Sequence, residues 1–153
     1  ISRKSMIPKL KPRKVSDMEK LKHLLDTNTL SELIKKPNGH TAQKIITLEN
    51  ENLCCTSLIV ACELRYGALK KDSLVLTDKV NQLLETIAVL PLENNIKPHY
   101  ARLRVILERA GTPIGSNDLL IASQACALGL TVVTGNLKEY SRIPGLAVEN
   151  WLT

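Results

Sequence analysis

Five oxygen-bearing side chains stand where the sequence changes character: Asp26, Glu63, Asp118, Asn136 and Glu139. Asp26 closes the short run His23-Leu24-Leu25. Asp118 opens the small, apolar stretch that runs to Leu128. Asn136 and Glu139 follow Thr131-Val132-Val133-Thr134, and Glu63 is the one acid between Leu58 and Leu69. Each has an ordinary use when taken alone. A lone Glu on an apolar helix normally sits on its solvated face, and an Asp in a first helical turn complements the helix dipole. Together they describe different chemistry. Carboxylates gathered in one cleft repel one another and raise each other's pKa. A divalent cation relieves that repulsion, and hard oxygen ligands select Mg²⁺ or Mn²⁺ over zinc. Such a site activates a water and stabilises the charge on a phosphodiester under attack.

The elements that must position these acids alternate between short apolar runs and helical patterns. His23–Leu25 reads as a buried strand, followed by a helix over Thr29–Lys36 that Pro37-Asn38-Gly39 breaks. A second helix is expected over Thr41–Asn50 and a second strand over Leu53–Thr56. Ser57 is placed to cap a third helix reaching about Leu69. A longer amphipathic helix spans Asp72–Ala88, a strand Val89–Leu92, and a further helix Asn95–Ala110 carrying Arg102, Arg104 and Arg109. Those arginines make either a solvated face or phosphate contacts. The loop Gly111–Gly115 leads to a helix capped by Ser116 or Asn117, with Asp118 in its first turn and Gly129 as a left-handed C-cap. Thr131–Thr134 is a fourth strand and Leu146–Val148 a fifth, with Trp151 packing near the end. This alternation predicts an α/β fold, with helices covering a parallel sheet of four to five strands through right-handed crossovers. Ligand sites in such sheets lie beyond the carboxyl ends of the strands. Asp26, Asp118, Asn136 and Glu139 all fall at that edge, and Glu63 can point there from the third helix.

A chain of 153 residues with 44% hydrophobic and 24% charged side chains fits one globular domain. Phe is absent and only three Tyr and one Trp occur, so the core must be aliphatic, and RNA binding by aromatic base stacking is disfavoured. The net charge of +6 is concentrated in residues 1–20, where seven Lys/Arg face Asp17 and Glu19. The remaining 133 residues carry 14 basic and 13 acidic side chains, so the body is near neutral and is not a basic nucleic-acid platform. Residues 1–17, rich in cations and with Pro8 and Pro12, read as a disordered basic leader or a segment of a fused upstream partner, ahead of a domain over 18–153. Cys54, Cys55, Cys62 and Cys126 have neither C-x-x-C nor zinc spacing and read as buried, reduced, small hydrophobes of a cytoplasmic protein. No apolar run approaches a membrane span, and no apolar signal-peptide core follows the charged N-terminus.

Four blocks in this order and spacing resemble those of PIN-domain ribonucleases: Leu24–Asn28, Glu63–Ala68, Gly115–Asp118 with Ile121-Ala122, and Val133–Asn136 with Glu139-Tyr140. Over about residues 21–153 the sequence is most similar to VapC toxins, the nuclease half of VapBC toxin–antitoxin pairs. Ala110–Gly115 and Arg142–Leu146 resemble the enteric-type branch that cuts initiator tRNA in the anticodon stem-loop. The resemblance implies a three-layer α/β/α PIN fold and a metal-dependent endoribonuclease using Mg²⁺, with Mn²⁺ as an alternative. It implies that Asp26, Glu63 and Asp118 hold the metal, with Glu139 as the fourth acid. Asn136 stands where much of the family has Asp, which makes one tightly held ion the safer expectation than two. Thr134 is implied to orient the site, and Tyr140 stands where the branch has Phe. Implied partners are an RNA, a VapB-type antitoxin inserting a peptide across the cleft, and a second copy of the chain. Two rival readings remain. A haloacid-dehalogenase-type phosphatase would use Asp26 as a nucleophile, but the second Asp it needs is Asn28 here, and Glu63 would have no role. A non-cleaving PIN-fold binding module would be consistent with Asn136.

Overall fold

The computed structural model describes residues 21–47 and 53–153. The basic segment 1–17 and the end of the second predicted helix, 48–50, lie outside the described residues. Five strands form one parallel sheet in the order β3-β2-β1-β4-β5: β1 His23–Leu25, β2 Cys54–Ser57, β3 Ala88–Leu90, β4 Thr131–Val133 and β5 Val148–Glu149. Leu24 of β1 pairs with Cys55 on one side and Val132 on the other. Among the described residues seven helices connect them: α1 Thr27–Lys35, α2 His40–Thr47, α3 Leu58–Lys70, α4 Leu74–Thr86, α5 Ile96–Arg109, α6 Ser116–Leu128 and the single turn α7 Leu137–Tyr140.

The chain runs outward from β1 through β2 to β3, then crosses back to place β4 on the other side of β1. Strand order therefore reverses between β1 and β4, and a crevice opens there at the carboxyl edge. Right-handed crossovers direct the two halves to opposite faces of the sheet. On one face α1 packs on α2, α3 and α4, and on the other α5 packs on α6.

Parallel strands buried on both faces must be apolar along their whole length. Leu24, Leu25, Val132 and Val133 are accordingly fully buried at the centre of the sheet. Leu30, Leu33, Leu83, Leu103 and Leu107 close over them from the helices, each contributing about 1.5–3 kcal/mol when removed from water. The core is aliphatic, as the composition requires, apart from Tyr140 and Trp151, which are also buried. Helix α6 shows little amphipathicity because it is buried on most sides: Leu119, Ile121, Ala122, Ser123, Gln124 and Ala125 are all inaccessible. Its small residues permit that close approach, and Gly129 at φ 66° ends it in the left-handed region.

Several details depart from the sequence expectations. Helix α1 begins at Thr27 and not at Thr29, because Asp26 caps it, and Ala88 belongs to β3, which ends at Leu90, and not to the preceding helix. Helix α4 begins at Leu74 rather than Asp72, because the Ser73 hydroxyl accepts from the Leu76 N–H and fixes the cap there. Helix α6 is not capped by Ser116 or Asn117. It begins at Ser116 with Gly115 as the cap residue, and no cap side chain bonds its first turn. The thiols are not uniformly buried: Cys54 and Cys55 are, Cys126 is partly so, and Cys62 is exposed. Ala61 and Leu64 face the core from α3, which leaves Cys62 turned outward. No helix among the described residues is long and apolar enough to cross a membrane.

Candidate active site

The carboxyl ends of β1 and β4 form the floor of the crevice, and polar side chains tie down their last carbonyls. Thr56 Oγ1 donates to the Leu25 carbonyl at 2.7 Å, and Thr29 Oγ1 donates to the Val133 carbonyl at 3.0 Å. The Asp26 N–H also donates to Val133 O at 3.0 Å. Asp26 is then the first side chain past the sheet, 5% exposed. It is also the N-cap of α1, its Oδ1 accepting from the Thr29 N–H at 3.0 Å. Burial raises its pKa, while hydrogen bonds from Thr134 and Thr29 oppose that rise and the Glu63 charge adds to it.

Glu63 lies in the second turn of α3, whose start is fixed by the Ser57 hydroxyl accepting from the Ile59 N–H at 3.1 Å. Its carboxylate is not on an unengaged solvated face. Glu63 Oε1 accepts from Thr27 Oγ1 at 2.8 Å, which links α3 to the first turn of α1 directly beside Asp26.

Asp118 and Glu139 form the second half of the site and share a hydrogen bond. Asp118 projects from the first turn of α6, where its Oδ1 accepts from the Tyr140 hydroxyl at 3.1 Å. Burial, then the hydrogen bond and charge of Glu139, push its pKa up to about 7; the Tyr140 bond opposes this and Glu63 adds to it. Burial acts on Glu139 in the same sense but is outweighed. Hydrogen bonds from Asp118, the Gly115 N–H and Asn136, with the nearby Arg142 charge, hold Glu139 below the usual Glu value. Within the pair the surroundings thus favour the protonated form of Asp118 and the ionised form of Glu139. Tyr140 stays a neutral donor: burial first, then the Asp118 charge, raises its pKa well above that of a free phenol.

Asn136 joins the two halves. Its Nδ2 donates to Glu139 Oε2 at 2.7 Å, and its backbone N–H donates to Thr134 Oγ1 at 2.9 Å. Thr134, fully buried, in turn donates to Asp26. The Gly115 N–H, at the uncapped start of α6, donates to Glu139 Oε1 at 3.2 Å. Glu139 therefore performs part of the task assigned to Ser116 or Asn117 in the sequence, but from a distant part of the chain.

All six residues singled out in the sequence (Asp26, Glu63, Asp118, Thr134, Asn136 and Glu139) converge on this crevice. Three further residues come from the structure: Thr27, Thr29 and Tyr140. Thr27 and Thr29 have the composition of an ordinary first helical turn, and only the position of α3 gives Thr27 its partner. Tyr140 could have been flagged as a buried phenol one residue past an acid. Arg104, by contrast, is held by Glu108 at 2.8 Å and Tyr100 at 3.1 Å along its own helix, the solvated-face arrangement.

The donor set is all oxygen, and the desolvated Asp118–Glu139 contact is of the kind a cation relieves. Among the described residues no group of three His, Cys, Asp or Glu side chains stands in ligating geometry. Asp26 and Glu139 are linked through the Thr134 hydroxyl and Asn136, while Glu63 is held separately by the Thr27 hydroxyl.

The sequence matches the PIN domain family over residues 23–146. The chain belongs to the VapC family of PIN-domain ribonucleases. It is 38% identical to ribonuclease VapC2 of Rickettsia felis over 130 residues, which is 84% of this chain and 97% of that one. It is 37% identical to the tRNA(fMet)-specific endonuclease VapC of Salmonella typhimurium over 135 residues, 86% of this chain and 98% of that one. Among solved structures, VapBC2 of Rickettsia felis bound to a promoter DNA fragment superposes with a TM-score of 0.80 at 36% identity, covering 86% of this chain and 99% of that one. DNA-bound VapBC of Salmonella typhimurium gives 0.74 at 37% identity, covering 86% and 98%. VapC-family membership accounts for the parallel five-stranded sheet.

Proposed function

We propose that this VapC-family chain is the toxin of a VapBC pair and a Mg²⁺-dependent endoribonuclease that cuts initiator tRNA in its anticodon stem-loop. The observation that carries the reading is the gathering of four carboxylates in one crevice with only oxygen donors: Asp118 held by Tyr140 and Glu139 held by Asn136 and the Gly115 N–H, beside Asp26 and Glu63. Asp26, Glu63, Asp118 and Glu139 would hold the cation, with Asn136 and Thr134 orienting them. Once bound, the ion supplies a water nucleophile at neutral pH and offsets phosphate charge.

The protein's own part is preorganisation. Thr29 and Thr134 fix the Asp26 carboxylate, Thr27 fixes Glu63, Tyr140 fixes Asp118, and Asn136 with the Gly115 N–H fixes Glu139. No nucleophilic side chain is required, because a bound cation would supply a water as nucleophile. The phosphatase reading is disfavoured, because Asp26 is the buried cap of α1 and Asn28 offers no acid.

The relative named as a tRNA(fMet)-specific endonuclease supports the substrate, and the solved VapBC complexes support a VapB-type antitoxin as partner. The test is cleavage of initiator tRNA, elongator methionine tRNA, and chimaeras exchanging their anticodon stem-loops. Cleavage that follows the initiator stem-loop, and stops when a VapB-type antitoxin is added, is the expected result. Equal cleavage of every chimaera would refute the substrate assignment, and cation binding with no cleavage of any RNA would favour the binding module.

A further inference from the structure

Four acids in one crevice pose a problem for a polyanionic substrate, because the charges that attract a cation repel phosphate. The body outside residues 1–20 is near neutral, with 14 basic and 13 acidic side chains. A local cation at the crevice rim would meet the need, and Arg142 is placed there. It follows α7, and its backbone N–H donates to the Glu139 carbonyl at 3.2 Å. The next residue, Ile143, is 3% exposed and anchors the backbone, while the Arg142 side chain is exposed. Its Nη1 reaches across to the Pro113 carbonyl, in the loop leading to Asp118, at 3.4 Å. Its charge registers at the Glu139 carboxylate, yet among the described residues no carboxylate lies within ion-pair distance of it. A guanidinium has five N–H donors in a planar fork suited to phosphate, and among the described residues this one bonds only the neutral Pro113 carbonyl.

We propose that Arg142 is a substrate-binding residue that holds an RNA phosphate next to the scissile bond, on the Pro113–Glu139 side of the crevice. The proposal rests on the ribonuclease reading above. The geometry explains why the cation is braced by a carbonyl and not by an acid. A neutral acceptor fixes the side chain's direction without neutralising it, so its charge and remaining donors stay available to a phosphate. Arg104, tied to Glu108 and Tyr100 on α5, lacks that availability.

The experiment compares the parent, Arg142→Gln, Arg142→Lys and the neighbouring charge control Lys138→Gln. Each is measured for kcat and KM in Mg²⁺ on an initiator anticodon stem-loop, and for Kd of the same RNA across a salt series. Arg142→Gln is expected to raise KM and Kd about 5- to 10-fold, to leave kcat within about twofold, and to lower the salt slope of log Kd by about 0.7, one phosphate contact. Arg142→Lys should recover the slope, since charge sets it, but only part of the affinity. Lys138→Gln should change Kd less than twofold. If Arg142→Gln binds RNA like the parent with an unchanged slope, or loses kcat at constant Kd, the proposal is overturned and Arg142 merely braces the loop. A parent that neither binds nor cuts RNA overturns the ribonuclease reading itself, a result distinguishable from the first.

Discussion

Replacing Asp118 with Asn should destroy the enzyme while making the metal-free protein more stable. Asn has the shape of Asp. Its oxygen can still accept from the Tyr140 hydroxyl, and its amide can donate to Glu139 as the protonated acid does. What it lacks is the charge, which in the folded protein is forced into a partly desolvated place beside Glu139. The sign follows from linkage. The folded pKa of about 7 lies above the unfolded value of 3.8, so the penalty appears as pH rises above 3.8 and is complete above 7. The full shift would amount to about 4 kcal/mol. The carboxyl is only half-buried, and solvent screening reduces this to about 1–2 kcal/mol. For a chain of this size that corresponds to a Tm about 3–6 °C higher for Asp118→Asn at pH 8 in EDTA. At pH 4 the proton is already on Asp118 and the two proteins should melt within about 1 °C of each other. Thermal unfolding by circular dichroism at both pH values decides it. A variant that melts at or below the parent at pH 8, or whose advantage persists at pH 4, would refute the picture of two carboxylates in enforced contact.

Four further outcomes follow from the same contacts. Tyr140→Phe removes the bond that steadies the Asp118 carboxylate, so the protein should lose about 1 kcal/mol of stability in chemical denaturation and bind Mg²⁺ more weakly at pH 7 by calorimetry. Asn136→Asp replaces a donor to Glu139 by a like charge; the metal-free protein should melt lower at pH 8 while Mg²⁺ raises its Tm more than the parent's. Ser57→Ala unties the start of α3, which carries Glu63, and should cost about 1 kcal/mol in urea unfolding. His23 lies against Trp151 with ring centroids 4.9 Å apart, and its Nε2 is 3.6 Å from Glu149. Burial chiefly lowers its pKa, and Lys22 and Lys44 add to this against the opposing Glu149 charge. Stability from the neutral ring is therefore present above pH 6.5 and declines below it, so the parent should lose Tm relative to His23→Gln between pH 6.5 and 5.

The fold was largely legible because its signals are strong and local. Short apolar runs such as Leu24-Leu25 and Val132-Val133, bounded by polar and turn residues, fit doubly buried strands, and Gly129 and Ser57 mark helix ends by their own chemistry. The convergence of Asp26, Glu63, Asp118 and Glu139 was also readable, because a parallel α/β sheet delivers its strand ends to one edge. What escaped was the wiring between elements. The start of α6 is supported by Glu139, 24 residues away, and not by Ser116 or Asn117, a choice that depends on where α7 sits. Thr27 looks like any first-turn residue until α3 brings Glu63 to it. Tyr140 differs from Phe by one hydroxyl, and only its burial against Asp118 gives that hydroxyl a role. Cys62 was misplaced because α3 is apolar nearly all round, so its sequence does not show which side turns outward.

Whether this carboxylate crevice hydrolyses RNA with the help of a divalent cation is decided by single-turnover cleavage of end-labelled initiator tRNA by the antitoxin-free parent and by folded Asp118→Asn, each in Mg²⁺ and in EDTA, with analysis of the product ends. Attack by water and not by the RNA's own 2′-hydroxyl predicts a cut in the anticodon stem-loop that requires both Mg²⁺ and Asp118 and leaves no 2′,3′-cyclic phosphate. A cyclic phosphate at the cut, or cleavage at the parental rate by Asp118→Asn or in EDTA, would contradict it.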